Sequence, residues 1–516
     1  LQLFKVTKNM NKNFFTSINT NFINNREKIL IEEENGKTWT CKEIQKLTAK
    51  FSTFFKNHGL KKGSKIIVQA EKSIHCVCIY LSCLKLGIIY VPLNTAYTSN
   101  EISYFIETIQ PELIFFSEEK KREHEILLST KPKIKKFILD KKNQKFIDEI
   151  VKLKEYYFIE SIEEDDIASI IFTSGTTGKS KGAMLTHKNL QSNAEALVNI
   201  WEINHRDILI HALPIFHVHG LFVALNTILI SGAKMIFFQK FSPNAIIEKL
   251  NEATLMMGIP TFYSRLLSNN NFNKKQCKNI RLFISGSAPL TESIFHEFYS
   301  KIGQSILERY GMSEAGMISS NPLRGDRIAG TVGFALPNIE IRVCDESGKI
   351  LPVNSRGNVE VKGPNVFRGY WQSEEKTKKE LGSDGFFKTG DIGEIDSEGR
   401  LSLFGRSNDM IISGGYNIYP KEVELVLDEI DVIKESAVIG CKHDDLGEAV
   451  VAIIIPRDTK KSISDDKIKK ILLKSLAGFK CPKKYIWLDK LPRNAMGKVQ
   501  KKELKKNFNN IFKEGI

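Results

Sequence analysis

The stretch Ala168–His187, ASIIFTSGTTGKSKGAMLTH, decides how the rest of the chain is interpreted. Its apolar start is typical of a buried strand, which leads into a loop rich in glycine, hydroxyl groups and lysine. Glycines let a backbone approach a ligand closely, while hydroxyl, ammonium and N–H groups suit a polyphosphate. We therefore predict a phosphate-binding loop formed by Thr173, Ser174, Gly175, Thr176, Thr177, Gly178, Lys179 and Lys181.

This loop is not a Walker loop, because that pattern requires glycine where the chain has Thr173. Considered by itself, the loop could equally be a Gly/Ser/Thr-rich surface turn. Motifs elsewhere in the chain must therefore decide between the two interpretations.

Composition restricts the class of protein. A chain of 516 residues with 42% hydrophobic residues predicts two or three domains with a large core. The eight cysteines contain no C-x-x-C pair, so neither a disulfide framework nor a zinc site is indicated, and a reducing compartment fits. The three lysines before Glu27 give the start of the chain a faint resemblance to a transit peptide. We expect a cytoplasmic protein, with an organelle matrix as the alternative.

Two apolar stretches, Ile74–Leu93 and Leu221–Phe238, raise the question of a membrane. Polar residues interrupt both, so each is interpreted as a helix that leads into a buried strand. We expect no stable membrane insertion.

The net charge of +15 is concentrated near the end of the chain. Residues 457–516 contain 18 Lys or Arg against 6 Asp or Glu, which is +12. Such a tail could bind nucleic acid, but its lysines alternate with apolar residues as on a solvated helix face. A polyanionic small molecule such as coenzyme A explains the charge equally well. We expect no nucleic-acid partner.

Residues 27–165 alternate between helical and strand patterns, which indicates parallel β-α-β units. Helical patterns cover 38–58, 73–85 and 99–109, and strand patterns cover 65–69, 88–92 and 113–116. Two later strands, 255–258 and 281–285, each run into a turn, which is where open α/β sheets bind ligands.

Four further motifs follow the loop: YGMSE at 310–314, TGD at 389–391, GR at 405–406 and PRNAMGK at 492–498. In this order they resemble the adenylate-forming family of acyl-CoA synthetases, adenylation domains and luciferases, whose loop reads [ST]SGTTGxPKG. Ser180 replaces the usual proline. The segment Glu71–Phe105 resembles that of bacterial malonyl-CoA synthetases.

The resemblance implies an α/β fold with three parts. Residues 1–405 should form a large doubly wound α/β domain with a β subdomain, which binds ATP and the acyl substrate. Residues 406–408 should be a hinge, and residues 409–516 a small, mobile α+β cap.

It also implies the roles of the site residues. Tyr310 and Gly311 would contact adenine, Ser313 would contact phosphate, Asp391 the ribose, and Arg406 the ribose or a phosphate. Glu314 and Thr173 would hold Mg²⁺, and Lys498 would reach the carboxylate and the α-phosphate. Gly286, Ser287 and Ala288 would lie against adenine and the acyl group, and Gly414 and Gly415 would pass the pantetheine arm. The catalytic set is Lys498, Glu314 and His217.

The expected activity is that of an ATP-dependent acid–CoA ligase that makes malonyl-CoA or methylmalonyl-CoA through an acyl-AMP intermediate. A second carboxylate needs a fixed cation, and arginine can bind it bidentately. Candidate substrate residues are Arg265, Arg281, His217, Ser287 and Met312, with Arg265 favoured as the direct contact. Rival interpretations are a medium-chain or aryl acyl-CoA synthetase, an adenylation domain that loads a carrier protein, and a basic nucleic-acid-binding protein.

Overall fold

The structure is a computed structural model that describes residues 11–512 except 122–124, 126–128, 130, 140–143, 174–179, 415 and 459–462. Its α-helices are Phe14–Asn24, Cys41–Asn57, Ile74–Leu86, Ser99–Ile109, Gln144–Lys152, His187–Ile200, Asn226–Ser231, Pro243–Lys249, Pro260–Leu267, Glu292–Ile302, Glu374–Glu380, Pro420–Asp428, Asp465–Leu472 and Lys501–Phe508. A π-helix, His219–Leu225, runs directly into Asn226–Ser231.

The strands are numbered in chain order: β1 Ile29–Glu33, β2 Thr38–Thr40, β3 Lys65–Gln69, β4 Ile89–Pro92, β5 Leu113–Phe116, β6 Lys135–Ile138, β7 Ile167–Thr173, β8 Lys181–Thr186, β9 Ile208–His211, β10 Lys234–Phe237, β11 Leu255–Gly258, β12 Leu282–Ser285, β13 Leu307–Met312, β14 Gly316–Ser320, β15 Thr331–Ala335, β16 Glu340–Cys344, β17 Gly357–Lys362, β18 Gly369–Tyr370, β19 Phe387–Ile395, β20 Leu401–Arg406, β21 Ile411–Ser413, β22 Tyr416–Ile418, β23 Ile433–His443, β24 Gly447–Pro456 and β25 Lys484–Trp487.

Local sequence explains several helix ends. Thr40 begins the helix Cys41–Asn57 with a capping box, because its hydroxyl accepts the N–H of Glu43 while the Glu43 carboxylate accepts the N–H of Thr40. The helix Ile74–Leu86 ends at Gly87, whose φ of 65° is in the left-handed region that glycine adopts without strain.

The large domain contains two sheets. One has 13 strands in the order β16-β17-β19-β20-β15-β14-β13-β12-β11-β9-β10-β1-β2, and its central strands β10, β9, β11, β12 and β13 are parallel. The other has seven strands in the order β18-β8-β7-β4-β3-β5-β6. Their parallel portions and flanking helices give the predicted doubly wound α/β core, and antiparallel strands β15–β17, β19 and β20 give the predicted β subdomain.

The last quarter of the chain forms a separate sheet, in which β21, β22, β23, β24 and β25 pair with one another. Alternate residues of β23 and β24 contribute to hydrophobic clusters on opposite faces, as strand geometry requires. The helix Pro420–Asp428 covers one face and the helix Lys501–Phe508 the other. This unit is the predicted small α+β domain.

Most predicted elements lie within a residue or two of those observed. The helical pattern predicted for 38–58 instead begins with the short strand β2, because Thr38–Thr40 pair with β1. A strand pattern over 305–309 predicts that the YGMSE motif follows a strand, whereas Tyr310 and Met312 belong to β13 itself. Both differences reflect antiparallel pairing with the neighbouring strand, β1 in the first case and β14 in the second.

Candidate active site

The nucleotide end of the site is formed by two neighbouring strands of the β subdomain. Asp391 in β19 and Arg406 in β20 are cross-strand partners, and Arg406 Nε lies 2.9 Å from Asp391 Oδ1. The hydroxyl of Tyr310 donates to the other oxygen of Asp391. The carboxylate raises the pKa of Arg406, which is therefore a permanent cation here. Three predicted adenosine residues are thus directly in contact with one another.

A second group surrounds the carboxylate of Glu314, in the turn between β13 and β14. The hydroxyls of Thr173 and Tyr370 each lie 3.2 Å from Glu314 Oε1. Gly311 is required nearby, because a side chain there would collide with the carbonyl oxygen of Gly316. The prediction that Thr173 and Glu314 act together is consistent with this contact. Oxygen atoms from one carboxylate and one hydroxyl are also the ligand type that Mg²⁺ prefers.

The turn after β12 holds Gly286, Ser287 and Ala288 against the π-helix. Ser287 has φ of 71°, a left-handed conformation that is uncommon for a residue with a side chain, and such strain often marks a ligand site. Its hydroxyl lies 3.1 Å from Nδ1 of His219. Gly286 must be glycine, because a Cβ would collide with the guanidinium of Arg309.

Arg309 is a site residue that the sequence analysis missed. It is 3% exposed, and its Nε and Nη2 atoms have no hydrogen-bond partner within the described part of the chain. Burial lowers the pKa of Arg309 to about 9, so it remains protonated at neutral pH. Burying a cation whose N–H donors have no partners costs free energy unless an anion pairs with it. The sequence signal that could have identified Arg309 was the alternation of side chains along a strand, because Arg309 must point to the opposite face of β13 from its neighbour Tyr310.

His217 lies beside this cation. Burial, and next the positive charges of Lys498 and Arg309, lower its pKa to about 3. His217 is therefore neutral, and it can hydrogen-bond a substrate without adding charge. His219 is also neutral, because burial lowers its pKa well below the usual value.

Lys498 reaches this site from the small domain. Gly497, with φ of 73°, brings the loop so close to the helix Pro260–Leu267 that a Cβ would lie 3.1 Å from Thr261 Oγ1. Burial and the charge of Arg406 lower the pKa of Lys498, while Asp391 and Glu314 oppose that effect. The residue as a whole is nevertheless partly open to solvent, and protein charges of both signs surround its ammonium group.

The two arginines predicted to bind substrate are not among the contacts described above. Arg281 precedes β12 at its amino end, where its guanidinium pairs with both carboxylate oxygens of Asp207 at 2.7 and 2.9 Å and donates to Trp201 O at 3.1 Å. It therefore belongs to the sheet edge opposite the carboxyl-end turns, and a substrate role is not supported. Arg265 is exposed on the helix Pro260–Leu267, next to the segment that contacts Gly497.

The remaining predicted residues divide into three sets. Ser313 and Met312 are partly exposed beside Glu314. Gly414, with φ of 57°, lies between β21 and β22, where its N–H donates to Leu446 O at 2.9 Å. The predicted phosphate-loop residues Ser174, Gly175, Thr176, Thr177, Gly178 and Lys179, together with Gly415, lie outside the described residues.

Comparison with known proteins agrees with this geometry. Residues 20–371 match the AMP-binding enzyme family, and residues 422–498 match the AMP-binding enzyme C-terminal domain. A malonate–CoA ligase of Arabidopsis thaliana is 34% identical over 490 residues, covering 88% of this chain and 80% of that protein. A long-chain-fatty-acid–CoA ligase of Bacillus subtilis (strain 168) is 31% identical over 507 residues, covering 91% and 90%.

A solved structure, that of ATP-bound MatB from Rhodopseudomonas palustris, is similar across nearly the whole chain. The two share 42% identity and superpose with a TM-score of 0.95, covering 98% of this chain and 100% of the other. The similarity therefore includes both domains and their relative placement.

Proposed function

The chain belongs to the AMP-binding enzyme family, and from that premise we propose that it is a malonate–CoA ligase that works through malonyl-AMP. As a member of this family it uses ATP and CoA. The closely related 2-methyl acid, methylmalonate, is included in the proposal because it carries the same two carboxylates.

The observation that carries the choice of acid is the buried Arg309 beside the Gly286–Ser287 turn. A dicarboxylic acid retains one carboxylate after the other is activated, and that charge needs a buried partner. Two guanidinium nitrogens without partners fit a carboxylate bidentately. A monocarboxylic fatty acid would leave the cation uncompensated. Similarity to malonate–CoA ligases supports the same acid.

In the first half-reaction, a carboxylate oxygen of malonate attacks the α-phosphorus of ATP and pyrophosphate leaves. Asp391 and Tyr310 orient the nucleoside, while Lys498 and Arg406 stabilise negative charge that develops on the phosphoryl oxygens. Neutral His217 contributes a polar contact to the acid next to Arg309. No protein nucleophile is required, because the attacking oxygen belongs to the substrate.

Glu314 and Thr173 would hold a magnesium ion at the phosphate end of ATP. One carboxylate and one hydroxyl suffice, because phosphate oxygens and water complete the coordination. The ion would neutralise charge on the phosphates.

The second half-reaction requires the CoA thiol to attack malonyl-AMP and expel AMP. Lys498 stands in the cleft before this step, so we propose that the small domain turns about residues 406–408 to withdraw it. The short 3₁₀ segment Ser407–Asp409, between a strand of the large domain and a strand of the small one, is suited to such a hinge. Gly414 and Gly415 would then line the path of the pantetheine arm.

No described helix is long and apolar enough to cross a bilayer. We propose small-molecule substrates without a nucleic-acid partner, and residence in the cytoplasm or an organelle matrix.

Acid-dependent release of pyrophosphate tests the function. Malonate and methylmalonate should give kcat/KM values at least about 10-fold above those of acetate and octanoate, since one charged hydrogen-bonded contact contributes about 1.5–3 kcal/mol. A preference for octanoate would favour the medium-chain alternative, and no release with any acid would contradict an adenylating enzyme.

A further inference from the structure

Two lysines stand together at the mouth of the loop that follows β7. Lys181, the first residue of β8, pairs in register with Thr173, the last residue of β7, so the loop begins and ends there. Lys376, in the helix Glu374–Glu380, is a neighbour of Lys181, since both lie around the side chains of Tyr370 and Glu380. We call these residues the lysine pair.

The lysine pair is only partly neutralised. Lys376 forms an ion pair with Glu380, whose Oε2 also accepts the hydroxyl of Tyr370 at 2.7 Å. Lys181 has no ion pair of its own within the described residues, and its ammonium lies 5.5 Å from the centre of the Tyr370 ring. Two adjacent ammonium groups repel each other, and more strongly where the local dielectric is low. An anion of more than one charge would relieve that repulsion.

Tyr370 connects the lysine pair to the predicted magnesium residue. Its hydroxyl lies between Glu380 and Glu314, at 2.7 and 3.2 Å, and Glu314 in turn contacts Thr173. The nucleoside end of the cleft is marked by Asp391 and Arg406. The lysine pair therefore lies next to the residues predicted to hold magnesium at the phosphates, Glu314 and Thr173.

We propose that Lys376 is a second ammonium ligand of the leaving pyrophosphate, acting with Lys181. When pyrophosphate is absent, Glu380 pairs with the ammonium group of Lys376. The inference rests on the proposed adenylating function. As the acid oxygen bonds to the α-phosphorus, the bond from the α-phosphorus to the bridging oxygen breaks, and its electron pair remains on pyrophosphate. Two fixed ammonium groups stabilise this added charge without transferring a proton.

Direct titration of the full-length enzyme with magnesium pyrophosphate tests the proposal without any acid substrate. K376M should weaken pyrophosphate binding about 10-fold, the effect of one charged hydrogen bond. K379M is the matched control, because Lys379 is exposed on the same helix and should leave the affinity unchanged. K376R should retain most of the affinity, since it keeps the charge.

Steady-state kinetics gives an independent readout. K376M should raise the inhibition constant of pyrophosphate and the KM of MgATP, and should leave the KM of the acid and the rate from supplied acyl-AMP unchanged. E380Q removes the competing charge while keeping an acceptor for Tyr370, so it should bind pyrophosphate at least as tightly as the unmodified enzyme.

Equal pyrophosphate affinity in K376M and K379M would overturn the proposal, and so would a loss in E380Q as large as that in K376M. Because binding is measured without acid, an error in the identity of the acid would leave the result intact. Failure of the unmodified enzyme to bind pyrophosphate or to release it from ATP would instead contradict the adenylating function itself.

Discussion

We propose that one buried side chain, Arg309, selects the substrate. Its guanidinium is enclosed by β13, the Gly286–Ser287 turn, His217 and His219, and two of its nitrogens have no hydrogen-bond partner among the described residues. Losing one buried, bidentate contact to a carboxylate costs about 2–5 kcal/mol. Loss of Arg309 should not weaken the binding of a monocarboxylic acid, because that acid has no second carboxylate to pair with the guanidinium.

R309M should therefore lower kcat/KM for malonate about 30-fold or more, while activity with acetate changes little or improves. R265M is the matched comparison, because Arg265 is the exposed arginine favoured from the sequence. Kinetics of both variants with both acids decides between them. If only R265M lowers kcat/KM for malonate, recognition of the second carboxylate belongs to Arg265. If R309M lowers kcat/KM equally for both acids, Arg309 does not recognise the second carboxylate directly.

We propose that the small domain takes part in catalysis through the loop 492–498. Asn494 closes it, since its N–H donates to Lys498 O at 3.0 Å and its side chain accepts the N–H of Lys498 at 3.0 Å. The loop thus presents Lys498 as a rigid unit beside Thr261, and movement of the whole element can deliver or remove its charge.

K498A should abolish formation of acyl-AMP from acid and ATP, because the ammonium is needed only in the adenylating arrangement. It should leave thioester formation from supplied acyl-AMP and CoA within about threefold of the unmodified rate, below the roughly tenfold effect of a lost charged contact. K490A, at an exposed position of the same domain, should change neither step. Equal loss of both half-reactions in K498A would show that Lys498 is not specific to adenylation.

At the scale of the whole molecule, one buried histidine joins the start of the chain to its centre. Nδ1 of His187 accepts the N–H of Phe14 at 3.2 Å, which connects the first helix to the helix His187–Ile200. Nε2 is buried without a partner among the described residues. Burial lowers the pKa of His187 to about 4, because a proton would place an uncompensated charge in the core.

Below pH 6.5 the unfolded chain binds a proton at His187 that the folded chain does not bind until about pH 4. The contribution of neutral His187 to the free energy of unfolding is therefore fully present above pH 6.5. It is lost as the pH falls towards 4, by at most about 3 kcal/mol. H187Q keeps a polar side chain but cannot titrate, so its unfolding free energy should fall less over this range. Denaturant unfolding at several pH values measures the difference, with exposed His205→Gln as control. Parallel acid profiles for H187Q and the unmodified protein would contradict this account.

The elements and the nucleotide residues were predictable from the sequence because each depends on residues close together in the chain. The capping box at Thr40, the strands that lead into turns, and the motifs around Tyr310, Asp391 and Lys498 all carry local signals. Their order along the chain indicated the family and, through it, the α/β core with its small cap.

Only the tertiary structure decided which cations face the acid and the phosphates. Arg281 lies just before β12 and Arg309 lies within β13 of the same sheet, yet Arg281 pairs with Asp207 at the amino end while Arg309 is buried next to Gly286 with two nitrogens unpaired among the described residues. Lys376 meets Lys181 from a helix almost 200 residues away. Which charges become neighbours depends on strand order, side-chain direction and packing between distant segments, and local patterns do not encode these.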